Sequence, residues 1–327
     1  MPNKYNDSRR YHIPKAKFQM RDWAAYDSDL RRRGSLTLWI TAEAMADWKA
    51  AARLSPGGQP YYSDLAIETG LLLRLAFNLP LRQTEGLMAS VFELMGISLG
   101  VPDHSTLSRR AMKMESISKG CRLPDGPVHL LIDSTGLKVY GAGEWLQEKH
   151  KVRARRTWRK LHLAVDTDTG LIMAETLTDN DVGDPSEVGP LLDQIDTEIA
   201  SVTADGAYDG APTYATIYGH WQDIEVVIPP PVTAVLSVDA QHNPTRRDQH
   251  IATIAAKGRL GWQKETNYGR RALVETTMGR YKGIIGPRLR ARCPAGQRAE
   301  AAAAVAVLNR MMSAGRPHSV RRSQMAS

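Results

Sequence analysis

Residues 267–286, NYGRRALVETTMGRYKGIIG, carry Tyr268, Arg271, Glu275 and Lys282, with a single acid among basic and phenolic side chains. At 100° per residue these four fall within an arc of roughly 60° on an α-helix, so a phenol, a guanidinium, a carboxylate and an ammonium share one face. Such a stripe is either a surface set of i, i+4 ion pairs or one wall of a site that handles phosphate through charge-assisted contacts. Two further acids stand in special places. Asp133 follows the apolar run HLLI, and Asp205 follows SVTA. An Asp after a strand is most often a turn former or cap, and Asp166, Asp168, Asp179, Asp181, Asp184 and Asp209 are read that way. Asp133 and Asp205 are set apart by their company with Glu275. Three converging carboxylates raise one another's pKa unless cations neutralise them. Divalent Mg2+ or Mn2+ does so, and two ions about 4 Å apart can flank a scissile phosphate, one activating the attacking oxygen and the other stabilising the leaving one.

The elements that must position these acids can be read from residue 124 onward. PDGPVHLLIDSTGLKVYG reads as a strand over 128–133 running into extended chain, and RKLHLAVDTDTGLIMAETLT as a hairpin turning at 166–170. DPSEVGPLLDQIDTEI opens with a capping-box pattern, Asp184 with Glu187, and predicts a helix over 184–199. SVTADGAYDG and DIEVVIPPP read as two more strands, residues 232–266 as a loop insertion without a clear period, and 267–286 as a helix. The order strand, hairpin, helix, strand, strand, helix predicts an α/β fold, a mixed sheet with helices on its faces, over 124–290. Residues 1–35 read as a flexible basic arm, and 36–120 as a small all-helical region. There DHSTLSRRAMKM places Ser105, Arg109 and Arg110 on a polar helix compatible with helix-turn-helix readout of DNA. Residues 291–327 read as a basic helix and tail.

Composition narrows the partners. The chain has 327 residues, enough to bury a sizeable core, with 42% hydrophobic and 24% charged residues, as in ordinary globular proteins. Its two cysteines offer neither a disulfide framework nor zinc-ligand spacing. The N-terminal segment is polar and basic, without a secretory signal, and the most apolar run (65–81) is broken by Glu68, Arg74 and Asn78. The expected setting is therefore cytoplasmic, away from membranes. The net charge of +8 is unevenly spread. Residues 266–327 hold twelve Lys/Arg against two acids, 149–160 hold seven and no acid, and 161–248 hold sixteen Asp/Glu and only Arg246 and Arg247. An acidic middle between basic flanks suits a protein that neutralises phosphates while a few carboxylates hold hard cations. Arg155, Arg156, Arg159 and Lys160 in KHKVRARRTWRK are candidates to track a DNA backbone, against the alternative of a solvated edge ribbon. Trp262 in GRLGWQKE is a candidate to stack on an unpaired base, against the alternative of a core residue.

The chain resembles DDE transposases of bacterial insertion sequences whose third acid sits in a Tyr-x2-Arg-x3-Glu-x6-Lys signature. Tyr268, Arg271, Glu275 and Lys282 match all four letters and all three gaps, with LLIDSTG and ADGAYDG upstream. YYSDLAIETGLLLRLAFNLPLRQTEG, LGVPDHSTLSRR, RRTWRKLHLAVDTDTG and GPRLRAR resemble one branch, insertion-sequence family five, and the likeness covers roughly residues 15–317. The resemblance implies an RNase H-like core, with Asp133, Asp205 and Glu275 as metal ligands and Tyr268, Arg271 and Lys282 as contacts to phosphates near the cleaved end. It implies cutting at terminal inverted repeats, joining of 3′-hydroxyl ends to target DNA, and a dimer or higher oligomer in the synaptic complex, associated with the bacterial nucleoid. Two alternatives stand beside it: an RNase H-like nuclease without strand transfer, and a catalytically silenced, transposase-derived DNA-binding protein, against which the presence of all three acids counts.

Overall fold

The computed structural model describes residues 18–52, 54, 56–114, 117, 126–139 and 158–321. It opens with strand β1 (Phe18–Arg21) and helices α1 (Trp23–Arg32), α2 (Leu36–Trp39), α3 (Ala42–Ala46), α4 (Asp64–Ala76), α5 (Leu81–Leu94) and α6 (His104–Ala111). Local chemistry sets the starts of these helices. The Ser63 hydroxyl accepts from the Ala66 amide to cap α4, Pro80 precedes α5, and the Asp103 carboxylate accepts from the amides of Ser105 and Thr106 to cap α6. The chain then runs through β2 (Val128–Val139), β3 (Trp158–Asp166), β4 (Ile172–Asp179), α7 (Val188–Leu192), β5 (Ile199–Ala204), α8 (Ala211–His220), β6 (Glu225–Val227) and α9 (Arg246–Glu265). The chain continues through α10 (Ala272–Arg280), the short strand β7 (Arg288–Leu289), α11 (Pro294–Ala314) and β8 (His318–Arg321).

The sheet order is β4-β3-β2-β5-β6, with β3 and β4 antiparallel to their neighbours and β5 and β6 parallel to β2 and β5. The antiparallel half is one hairpin turned through Asp166–Gly170. There the Asp166 carboxylate accepts from the Thr169 amide and hydroxyl, and Gly170 takes a φ of 70°. The parallel half needs helical crossovers, which α7 and α8 provide. This is the mixed, helix-flanked sheet expected of an RNase H-like core.

Side-chain alternation gives the sheet two apolar faces. Leu130, Ile132 and Ala164 face one cluster with Val188, Leu191 and Ile217 from α7 and α8. Leu131, Leu137, Leu161 and Leu163 face the other, shared with α10, α11 and the N-terminal helices through Leu72, Met88 and Leu107. The Ala-rich α11 lies deep in this second cluster, where small side chains let α4 and β4 approach closely. Its Asn309 carboxamide both accepts from the Ile172 amide and donates to the Ile172 carbonyl, closing the end of the edge strand β4. The N-terminal helices therefore share one core with the sheet.

Four expectations are corrected. Residues 246–265 form a helix, not a loop, opened by a reciprocal capping box between Thr245 and Asp248 and kinked at Gly258 (φ 69°). Its buried side chains are only Asp248, His250 and Trp262, so no apolar period marks it. The helix expected over 184–199 is short, a 3-10 turn (Asp184–Glu187) leading into α7, which ends at Leu192, while Ile199 already belongs to β5. Within the basic arm of 1–35, β1 pairs antiparallel with β8, and α1 follows it. Residues 267–286 are helical but not one α-helix. They run as a 3-10 turn (Tyr268–Arg271), then α10, then a π-helical turn (Tyr281–Ile285), so the ideal 60° arc does not apply.

Candidate active site

β2 is the central strand of the sheet, and Asp133 lies within it. By alternation it shares a face with Leu131 and Leu137, the face covered by α10 and α11. Burial pushes the Asp133 carboxyl above its ordinary value, against the opposing pull of the Arg271 guanidinium and a 2.8 Å bond from the Ser134 amide. Asp205 directly follows the neighbouring parallel strand β5, where Ile132 of β2 pairs with Ala204. One of its oxygens accepts from the Ala207 amide at 2.8 Å, capping a 3-10 turn, while the other meets Arg271. Gly206 lies so close to the Pro229 carbonyl that an added Cβ would stand 3.1 Å from it, which keeps side-chain bulk away from the strand end. Glu275 lies in the first turn of α10, which crosses β2, and is the most open of the three.

All three acids meet one guanidinium. Arg271 Nη2 lies 2.8 Å from Asp133 Oδ2 and 3.5 Å from Asp205 Oδ2, and Nη1 lies 3.0 Å from Glu275 Oε1. Side-chain exposure rises from 14% at Asp133 through 33% at Asp205 to 55% at Glu275, so the cluster opens outward along one line. Tyr268 stands at its edge, with its ring centroid 5.1 Å from that of Trp262 and its hydroxyl pushed up to about 12, chiefly by burial.

A family model described as a transposase DDE domain matches residues 124–310, and a second of the same description matches residues 31–142. The first alone spans more than half of the 327 residues and contains all three acids. The chain is a member of the DDE transposase family. Members of this family are enzymes that cleave DNA and transfer its strands, and they use divalent metal ions. Among the described residues no helix is long and apolar enough to cross a membrane.

The donor set suits such an ion in kind, with three carboxylates and no sulfur or imidazole. The charges suit it as well, since three acids against one arginine leave two negative charges uncompensated. Among the described residues, however, no three acidic, His or Cys side chains stand close enough to hold one ion as placed. The Arg271 guanidinium lies between them.

Several expected DNA contacts of the transposase are corrected by their surroundings. Trp262 is fully buried. Its indole N–H donates to His250 Nδ1 at 2.9 Å, and His250 Nε2–H donates in turn to the Val226 carbonyl at 2.8 Å. An indole held between His250 and Tyr268 has no face open to a base, so it is core, tying α9 to β6. Arg159 and Lys160 belong to β3 and are committed internally. Arg159 bonds Gln297 and pairs with Asp179, and Lys160 donates to the Val182 carbonyl (2.7 Å) and Asp184 (3.0 Å). Arg155 and Arg156 lie outside the described residues. Arg110 ties α6 to α4 through the Tyr62 carbonyl and Asp64. Ser105 and Arg109 remain at the surface, lining a groove of about 590 Å³ with Pro80, Arg82, Gln83, His104 and Ser108. Lys282 is partly exposed on the π turn.

One pair was missed in the sequence. Asp209, read as a turn former, receives Arg247 through bonds of 2.9–3.0 Å from both Nε and Nη2, pinning the start of α9 to the segment after Asp205. Nothing local signals it, because the partners are 38 residues apart.

Proposed function

We propose that this transposase, of the insertion-sequence family five branch, cleaves at the terminal inverted repeats of its element and joins the 3′-hydroxyl ends to target DNA. Asp133, Asp205 and Glu275 are the ligands in this reading, for Mg2+ or Mn2+ and for two ions. The supporting observation is convergence. Acids at 133, 205 and 275 come from a strand interior, a strand end and a helix, and all reach one guanidinium within 3.5 Å. Holding three like charges this way is costly unless the site is built for cations.

When bound, the divalent metal supplies Lewis-acid activation of the attacking and leaving oxygens of the phosphodiester. The chain's own residues fix where that happens. Asp133 is set by the central strand, Asp205 is oriented by its cap on the following turn, and Glu275 has the exposure to adjust as substrate arrives. The Tyr268 hydroxyl, with its pKa raised to about 12, stays protonated at neutral pH and is a donor for a phosphate oxygen. Lys282 is a point charge for a neighbouring phosphate. Ser105 and Arg109 at the α5–α6 groove are contacts to duplex DNA away from the cut. Water and then a DNA 3′-hydroxyl attack in line, so no covalent protein–DNA intermediate is needed. Joining two ends in one event calls for a dimer or larger assembly.

The test is a labelled duplex carrying the inverted repeat that flanks the gene, incubated with MgCl2 or MnCl2 and with target plasmid. Cutting at the repeat boundary and joined product, both lost in Glu275→Gln, are expected. Cutting without joining would favour the nuclease. Binding without cutting, with paired ends supplied, would favour the silenced relative.

A further inference from the structure

Arg271 has more partners than it can satisfy well and one donor it does not use. Two of its nitrogens serve three carboxylates, while its Nε is buried without a hydrogen-bond partner. A structural ion pair matches charges one to one. Here three acids share one guanidinium, and the site keeps two units of negative charge. The guanidinium lies at the point toward which all three acids turn, where a cation of higher charge would be held more strongly.

We infer that Arg271 is a displaceable internal cation with two stations: on the carboxylates in the metal-free protein, and on a DNA phosphate once a divalent ion has taken its place. The inference rests on the reading of Asp133, Asp205 and Glu275 as metal ligands. Without metal, the arginine keeps three like charges from driving the strand ends and α10 apart. With metal, the carboxylates are neutralised and the arginine loses its partners. It is then a long, planar, fivefold donor beside a site whose substrate is a phosphodiester, which it can meet bidentately. Metal entry thus releases the group that grips the DNA. By linkage, a phosphate that draws the arginine away must favour metal entry by the same factor. The device discourages metal loading on protein without DNA and couples it to arrival of the element end.

The experiment is calorimetric titration of MnCl2 into the full-length protein, alone and with a duplex of about 20 base pairs carrying the repeat. The proteins are the wild type, Arg271→Gln and Arg271→Lys, with Asp133→Asn as reference. Arg271→Gln is expected to bind Mn2+ on the order of tenfold more tightly than wild type without DNA, within the range of ordinary coupling between sites. Arg271→Lys, which keeps the charge but cannot bridge three acids, should fall between. DNA should tighten Mn2+ binding by the wild type and do so much less for Arg271→Gln. Thermal melts without metal identify any variant that has failed to fold, and Arg271→Lys then carries the comparison. Equal or weaker Mn2+ binding by both folded variants would overturn the inference while leaving the ligand assignment intact. Mn2+ binding unaffected by Asp133→Asn would overturn the ligand assignment and the inference with it.

Discussion

Two arginine–carboxylate junctions hold helices to this sheet, and they are built on opposite plans. At the start of α9, Arg247 meets one carboxylate, Asp209, whose side chain is 2% exposed, and the next residue, Asp248, accepts from the backbone and hydroxyls of both Ser237 and Thr245. At the approach to α10, Arg271 meets three carboxylates, one of them more than half exposed. The first junction is saturated: Arg247 has one matched carboxylate, and each oxygen of Asp209 and Asp248 has a donor. The second is over-subscribed. Saturation makes a fastener, because removing either half strands the other. Over-subscription leaves charge that can attract a cation. The carboxyl groups differ accordingly. Hydrogen bonds from Thr245 and Ser237 hold Asp248 well below the ordinary carboxylate range, whereas burial pushes Asp133 above it.

Neutralising the over-subscribed junction gives the largest effect. Asp133→Asn or Glu275→Gln should lower cleavage of an inverted-repeat duplex by about 10³-fold or more. Thermal melts should scarcely move, since Arg271 keeps two acids in either variant. A large loss of stability would show that the cluster fastens the fold after all. Next comes the core tie that was also a stacking candidate: Trp262→Ala should destabilise by about 3–5 kcal/mol in urea unfolding. Unchanged stability with weakened affinity for a mismatched duplex would restore the stacking role. Arg247→Ala strands the Asp209 carboxylate and should cost about 3 kcal/mol. Catalysis should follow stability there, so activity per folded molecule, measured by active-site titration, should stay near wild type.

The pH dependences should also oppose one another. Asp248 contributes stability above the ordinary carboxylate pKa of about 3.9, and that contribution is lost as pH falls through its depressed folded value. Asp248→Asn should therefore narrow its gap from wild type only on acidification. Asp133, with its raised pKa, favours the folded state most below the ordinary value and loses that contribution as pH rises through the folded one. Asp133→Asn should consequently match wild type in acid and stand slightly above it at neutral pH, where Asp248→Asn stands below, and stability curves between about pH 2 and 8 decide both signs. The smallest effect belongs to Lys282→Ala, which should weaken duplex binding evenly across sequences and reduce the salt slope by about one. An unchanged slope would take Lys282 out of the interface.

The family, the sheet and the three acids were legible in the sequence because their signals are local. Asp133 and Asp205 follow apolar strand runs, and Glu275 sits at fixed spacing from Tyr268, Arg271 and Lys282. The misreadings share a physical cause. Trp262 stood open between base stacking and the core because a lone Trp among polar residues has no apolar period, and its partner His250 lies a kinked helix away. Arg159 and Lys160 looked like a basic ribbon because charge counts cannot see Gln297, Asp179 or Asp184 waiting across the fold. Helix α9 carries its only clear mark in Thr245 and Asp248, a capping box that outweighs an otherwise featureless stretch.

The amino-acid sequence by itself determined which groups are acidic, which segments become strands, and the hairpin that sets β3 against β4, since hydrophobic alternation, caps and turn residues act over a few positions. Only the tertiary structure decided which charge each acid would face. Ion pairs join residues such as Asp133 and Arg271, 138 positions apart, and Coulomb energy depends on distance through space and on burial, neither of which chain position records.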